Sequence, residues 1–397
     1  MAFFERKVDF APALWPLAGL AVLALLSACA DGDGPTDYNP PPGYVYSIPE
    51  QVDDGWQTAS LADVGMDQTR LESLMNRLGS NSGHLVHGIG IAVDGQLVFE
   101  EYFSGFTHPT YGELPVTYTR ERKHCLSSVA KSVTATLLGI AIGEGLIAGV
   151  DDKVFDYFPE LADLNVGQKA ELELEHLVTM SAGLQWDEST YPIGDPRNDL
   201  MRWISHSGDL VRFVLERPLV ADPGVQFNYS GGLTNVLGEA VSRAGDLRLD
   251  HFSRDYLFTP LGITDFSWWV LRPDFVYASG DVSLRLRDML KFGQLYLQGG
   301  VWEGEQIVPA EWVEASATPY FTFTSPWHGH RGYSYGWWPM TAEYGAGAFG
   351  ASGWGEQAII VLPEFDMVAV FTGGSYWESP LLTYDQMMRQ YVLPAIR

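Results

Sequence analysis

The chain has 397 residues, 46% of them hydrophobic and 19% charged, which is room for one large domain or two modest ones. Its formal net charge of −26 repels phosphate backbones and anionic headgroups, and so argues against a nucleic-acid partner. The balance fits a soluble, solvated surface and does not by itself indicate a reaction.

Arg6 and Lys7 precede the apolar run FAPALWPLAGLAVLALLSAC, in the order of an export signal. Its end, Leu26-Ser27-Ala28-Cys29, resembles a bacterial lipobox, in which the cysteine is lipidated and becomes the first residue. Residues 1–28 therefore read as a signal peptide, with an uncleaved signal anchor as the alternative. Residues 29–45, acidic and proline-rich, read as a tether. Residues 46–397 read as the folded domain. The expectation is an exported bacterial lipoprotein, held on the membrane through lipidated Cys29 and facing the periplasm. Only Cys125 would then remain, so no intramolecular disulfide is expected, and Cys125 reads as a small buried residue.

Leu71, Leu74, Met75 and Leu78 recur at helical spacing. GIGIAVDGQLVFEEYF reads as two strands around an Asp94-Gly95 turn. A helix apolar on nearly every face follows from about residue 130, and such a helix is buried. Mostly helical and loop segments are expected from about Asp151 to Leu290. QAIIVLPEFDMVAVFTGG gives two further strands, and LTYDQMMRQYVLPAI a closing helix. Strands at both ends with helices between predict an α+β fold, with one antiparallel sheet from the terminal strands and an inserted helical lobe.

The stretch CLSSVAKSV places Ser128 and Lys131 three residues apart, on one helix face, where the buried run begins. A serine in a first turn lies near the positive end of the helix dipole. Burial penalises an ammonium, which suits such a lysine to taking a proton from the serine. The plainer alternative is an N-capping serine with a snorkelling lysine, and Ser127 or Ser132 could cap instead. Tyr229 precedes a Ser-Gly-Gly turn that opens a helix, and a phenol beside an amine can shuttle a proton. FGASGWGEQAIIVLP sets small residues beside a strand, where an N–H could join that of Ser128 in an oxyanion hole.

The order S-x-x-K, then a tyrosine turn, then a small-Ser-Gly strand resembles the serine β-lactamase and penicillin-recognising hydrolase superfamily. Within it, SSVAKSVTATLLGIAIGEGLI, EHLVTMSAGLQWDE, PGVQFNYSGG, FTPLGI, RDMLKFGQLYLQGGVWEGEQIVP and GYSYGWW look most like the class C-related branch of esterases and 6-aminohexanoate-dimer hydrolases. The resemblance covers nearly the whole mature chain and implies a β-lactamase-like fold. It implies an acyl-forming Ser128, Lys131 as its base, Tyr229 as proton relay, and the N–H groups of Ser128 and Trp354 as oxyanion donors. No cofactor or metal is implied.

Two departures bear on substrate. Where the antibiotic hydrolases read Y-x-N, this chain has Tyr229-Ser230-Gly231. Where they read Lys-Thr-Gly, it has Ala351-Ser352-Gly353. Losing a charge-assisted contact costs about 1.5–3 kcal/mol. Both departures point away from β-lactams and D-Ala-D-Ala peptides, the alternative substrates, and towards an uncharged ester or linear amide. Trp186, Tyr191, Gly231, Tyr335, Trp337, Ser352 and Gly353 are candidate pocket residues, with Tyr191 the match to the family's lid tyrosine; packed aromatics without ligand contact are the plainer reading.

Three rival readings are weaker. Gly332-Tyr333-Ser334-Tyr335-Gly336 matches a nucleophile elbow but lacks the flanking strand and helix, so Ser334 reads as a loop residue. His328 and His330, without a nearby carboxylate or cysteine in sequence, read as surface histidines and not metal ligands. A non-catalytic wall-binding or sensor protein on this fold would be expected to lack Ser128, Lys131 or Tyr229, and all three are present.

Overall fold

A computed structural model of the protein describes residues 43–81, 83–323 and 328–396; the apolar leader, Cys29 and most of the tether lie outside them. The first pairing is β1 (Gln57–Thr58), a parallel edge. Asp67 caps α1 (Gln68–Gly79), accepting from the Thr69 N–H. Leu71, Leu74, Met75 and Leu78 are all fully buried on one face of α1, as their spacing predicts. Asp94 and Gly95 both adopt positive φ (51° and 71°), which a tight two-residue hairpin requires. That turn joins β2 (Val86–Val93) to β3 (Gln96–Tyr102), an antiparallel pair.

The chain then leaves the sheet. β4 (His124–Cys125) leads into α2 (Ala130–Gly143), whose residues are buried without break from Ala130 to Ala141. α2 packs on α3 (Gly231–Ala244) in the lobe. β5 (Ser267–Trp268) and β6 (Val282–Leu284) join β4 in a small sheet of order β4-β6-β5. The segment from Asp151 to Leu290 is thus mostly helical and loop, as expected, with a few very short strands among them. Strands of two or three residues are too short for their alternation to show in sequence.

α4 (Leu286–Leu297) returns the chain across β2 and the C-terminal strands. Its Arg287, 3% exposed, is tied to Glu100 of β3 and, at 2.8 Å, to Asp54. β7 (Trp338–Pro339), β8 (Phe349–Gly353), β9 (Gln357–Leu362) and β10 (Met367–Gly373) then complete the main sheet, of order β1-β3-β2-β10-β9-β8-β7. All its pairings except β1 with β3 are antiparallel. The sheet from both chain ends and the inserted helical lobe are therefore present.

The closing segment is less regular than one helix. α5 (Tyr384–Met387) is capped by Thr383, after which wider turns run over Met388–Val392 and tight ones over Leu393–Ala395, where Pro394 cannot continue an α-helix. Among the described residues, no helix is long and apolar enough to cross a membrane.

Gly139 shows how tightly α2 is enclosed. A Cβ there would stand 2.5 Å from the Trp312 ring. Alanine favours a helix over glycine by about 1 kcal/mol, but overpacking a core costs about 1–3 kcal/mol. Gly139→Ala is therefore expected to lower the thermal unfolding temperature; a rise would show that Trp312 yields freely.

Candidate active site

Four segments converge at Ser128. β4 carries the chain to Leu126, whose N–H donates to Val282 O at 2.8 Å. Ser127 then takes a left-handed conformation, φ 48°, and its hydroxyl donates to Trp354 O at 3.1 Å. Ser128 lies in the tight turn Ser127–Val129 that runs into α2 and remains partly exposed. At this turn no serine side chain caps the helix, and Ser132 instead donates to Gly336 O at 2.6 Å. The capping alternative fails. Lys131 does not snorkel either, being only 4% exposed.

The Lys131 Nζ lies 3.0 Å from Ser128 Oγ and 2.9 Å from Ser279 O. It also stands 4.8 Å from the centroid of the Tyr229 ring. The three predicted residues are thus together. Asn235 of α3 holds the Ser279 end of this arrangement, accepting from the Ser279 N–H and donating to its hydroxyl, each at 3.1 Å. Tyr229 is fixed from below: Asn228 Nδ2 donates to Trp186 O at 3.0 Å, and Ser230 caps α3. Glu188 accepts from the Gly231 N–H and from Trp186 Nε1, each at 2.7 Å. A carboxylate at a helix start is favoured by the dipole.

The end of β8 runs against the turn that carries Ser128. A Cβ on Gly353 would meet Leu126 O at 2.3 Å and the Ser128 nitrogen at 3.1 Å, so only glycine allows this approach. The next residue, Trp354, accepts at its carbonyl from the Ser127 hydroxyl of the same turn.

Ser128 and Trp354 line two cavities. The larger, about 370 Å³, is also lined by Tyr229, His328, His330, Trp338, Ser352 and Glu356, among others. The smaller, about 90 Å³, is walled by Ile193, Leu200, Met201, Ile204 and Trp269, with His108, Thr110 and Asp281 adding polar groups.

The pocket candidates separate accordingly. Ser352 and Gly353 line the larger cavity. Trp186, Gly231, Tyr335 and Trp337 line neither. Trp337 is fully buried against Phe292 and Phe349, and the Tyr335 hydroxyl turns to Glu175 at 2.6 Å. Trp186 and Gly231 both donate to Glu188, Gly231 from the segment that carries Tyr229 into α3. Tyr191 is also outside both cavities, its ring covered by the Arg197 guanidinium at 4.2 Å, while Ile193 of the same loop lines the smaller one. Trp338 takes the place expected of its neighbour, stacking on Tyr229 at 5.8 Å. Ser334 is a buried turn residue bonded to Ala315 O, as its context predicts.

The histidines need the largest correction. His328 and His330 are not surface residues but line the larger cavity. His330 stacks on Trp338 at 4.7 Å, and its Nε2 lies 3.3 Å from both Ser352 Oγ and Tyr384 Oη. Burial lowers both imidazoles, His330 to about 3, so both are neutral near pH 7. In sequence only their two-residue spacing was available, and it does not reveal burial. As for metals, His108, Cys125 and Asp281 place ligand-type atoms within 4.8 Å of one another.

The chain belongs to the beta-lactamase family, whose model matches residues 71–378. It is 28% identical over 208 residues to the 6-aminohexanoate-dimer hydrolase of Paenarthrobacter ureafaciens, covering 50% of this chain and 51% of that protein. The chain spans about half the length, or less, of the curated relatives it matches. Two solved structures share the fold. EstCE1, a hydrolase with promiscuous acyltransferase activity, aligns with TM-score 0.63, 17% identity, and coverage of 82% and 97% of the two chains. A family VIII carboxylesterase aligns with TM-score 0.61, 16% identity, and 82% and 96% coverage.

Glu356 is the cavity's titratable acid. Burial raises its carboxyl to about 7, opposed by the Tyr384 N–H and reinforced by Asp385, with neutral His328 and His330 in the same cavity. The folded state holds a proton that the unfolded chain releases above about pH 4.5. This stabilising contribution is complete below about pH 4.5 and is lost as pH rises through about 7. Glu356→Gln is expected to gain about 1–3 kcal/mol on wild type between about pH 5 and about pH 8 in urea denaturation. Parallel curves would show that Glu356 is ionised throughout.

Proposed function

We propose that the protein is a serine hydrolase that forms an acyl-enzyme on Ser128, acting on uncharged esters or linear amides. The observation that carries this reading is the 3.0 Å contact between the buried Lys131 amine and the partly exposed Ser128 hydroxyl, at the junction of two cavities. Lys131, as general base, takes the hydroxyl proton as Ser128 Oγ bonds to the substrate carbonyl carbon. The N–H groups of Ser128 and Trp354 receive the developing oxyanion. Tyr229 passes a proton to the departing alcohol or amine, and later helps water release the acyl group.

The substrate class rests on what lines the larger cavity. Its described residues include no lysine or arginine, and its two imidazoles are held neutral. A substrate carboxylate would therefore meet Glu356 without a compensating cation. This supports neutral esters or amides over β-lactams and D-Ala-D-Ala peptides, and the names of the hydrolase and esterase relatives agree with it.

Purified protein is expected to hydrolyse short-chain p-nitrophenyl esters and to turn over nitrocefin poorly. Labelling by a fluorophosphonate probe is expected to vanish in Ser128→Ala. Persistent labelling of that variant would refute the nucleophile, and efficient nitrocefin turnover would refute the substrate class.

We further assign Cys29 as the lipidation site that anchors an exported protein on the periplasmic side of a membrane. The lipobox-like sequence and basic start support this. Globomycin is expected to make a larger precursor accumulate in a bacterial host, whereas an unchanged size would count against lipidation.

A further inference from the structure

The smaller cavity offers a chemistry distinct from that of the larger one. Tyr229, the proposed relay to the leaving group, lines only the larger cavity. The leaving group therefore belongs there, and the acyl chain on Ser128 is left with the cavity of about 90 Å³. A water molecule's share of liquid volume is about 30 Å³, so this space suits a short chain of about three or four non-hydrogen atoms. Ile193, Leu200, Met201 and Trp269 give it apolar walls.

One side of this cavity is polar. His108, 5% exposed, accepts at Nδ1 from the Thr110 N–H at 3.2 Å. Burial keeps the ring neutral, so its single proton sits on Nε2. That Nε2 is buried and has no hydrogen-bond partner. Asp281, also 5% exposed, has a carboxylate oxygen within 4.8 Å of a His108 ring nitrogen. The same carboxylate accepts from the Cys125 thiol at 3.4 Å, a weak donor.

A donor and an acceptor thus stand side by side at an apolar pocket. A hydroxyl complements both, accepting from His108 Nε2–H and donating to Asp281. An ammonium would leave Nε2–H unpaired, and a methyl group would leave Nε2–H unpaired and Asp281 with only its weak thiol donor. Leaving a buried donor without a partner costs about 1–3 kcal/mol. We infer that the smaller cavity receives a short acyl chain bearing a hydroxyl group, selected by Asp281 and His108. The inference rests on the reading of Ser128 as nucleophile. It makes the natural substrate an ester or amide of a short hydroxy acid.

The test compares kcat/KM for p-nitrophenyl 3-hydroxybutyrate, butyrate and 4-aminobutyrate. Wild type is expected to favour the hydroxy ester over butyrate by about tenfold. That ratio is expected to fall towards one in His108→Phe, which keeps the ring without its nitrogens, and in Asp281→Gly, which suits the positive φ of 58° at that position. Using a ratio separates selectivity from any general loss of activity. If either variant fails to fold, the wild-type ranking still decides.

Turnover without a hydroxyl preference would overturn the pocket assignment alone, as would a preference for the amino ester. Stoichiometric zinc in the purified protein, lost in His108→Phe, would also overturn it, because the Nε2 proton would then be absent. If no ester is turned over and no probe labels Ser128, the hydrolase reading falls and takes this one with it.

Discussion

The amine of Lys131 is the constraint around which the site is built. Removing an ammonium or amine from water is costly unless its hydrogen-bonding capacity is met. Here it is met by Ser279 O, Ser128 Oγ and the face of the Tyr229 ring. These partners come from the loop before β6, the turn before α2 and the segment before α3, so the amine is satisfied only when all three are docked. The Asn235 bonds to Ser279 add a fourth restraint, from within α3. The same contacts that make the burial tolerable bring hydroxyl, amine and phenol together.

The backbone at Ser127 carries a second restraint. A left-handed conformation at a non-glycine residue costs of order 1–3 kcal/mol and persists where its surroundings over-determine it. Ser127 is held on one side by Leu126 on β6 and on the other by its own hydroxyl on Trp354 O. Gly353 completes the arrangement by allowing β8 to close on the turn. The helical lobe supplies the amine and phenol, and the sheet supplies the opposing backbone.

The sequence is most readable where one periodic element decides a position. The unbroken apolar run after Ser128 requires burial of α2, and that burial makes Lys131 unusual. The Asp94-Gly95 turn and the strands around 363–366 are likewise local signals. Pocket residues depend instead on which face a short or irregular segment presents. Trp337 and Trp338 are adjacent and chemically alike, yet one fills the core and the other stacks on Tyr229. Tyr191 and Ile193 divide in the same way on their loop. Glu188 was hidden for a different reason, since Gly231, 43 residues further on, meets it only through the tertiary fold.

The polar groups of the two cavities follow one electrostatic rule. Burial has kept histidines in their neutral form in both, at His330 and at His108, where they can hydrogen-bond without adding charge. The acids beside them, Glu356 and Asp281, are both raised by burial. A protein of net charge −26 already disfavours approaching anions, and among the described residues no lysine or arginine lines either cavity. Discrimination must then come from hydrogen-bond matching within apolar walls. Such sites reject analogues that lack the matching group more strongly than analogues that differ by a methylene, because a buried donor is left unpaired. That asymmetry is why the unpartnered His108 Nε2 says more about substrate than the surrounding apolar residues do.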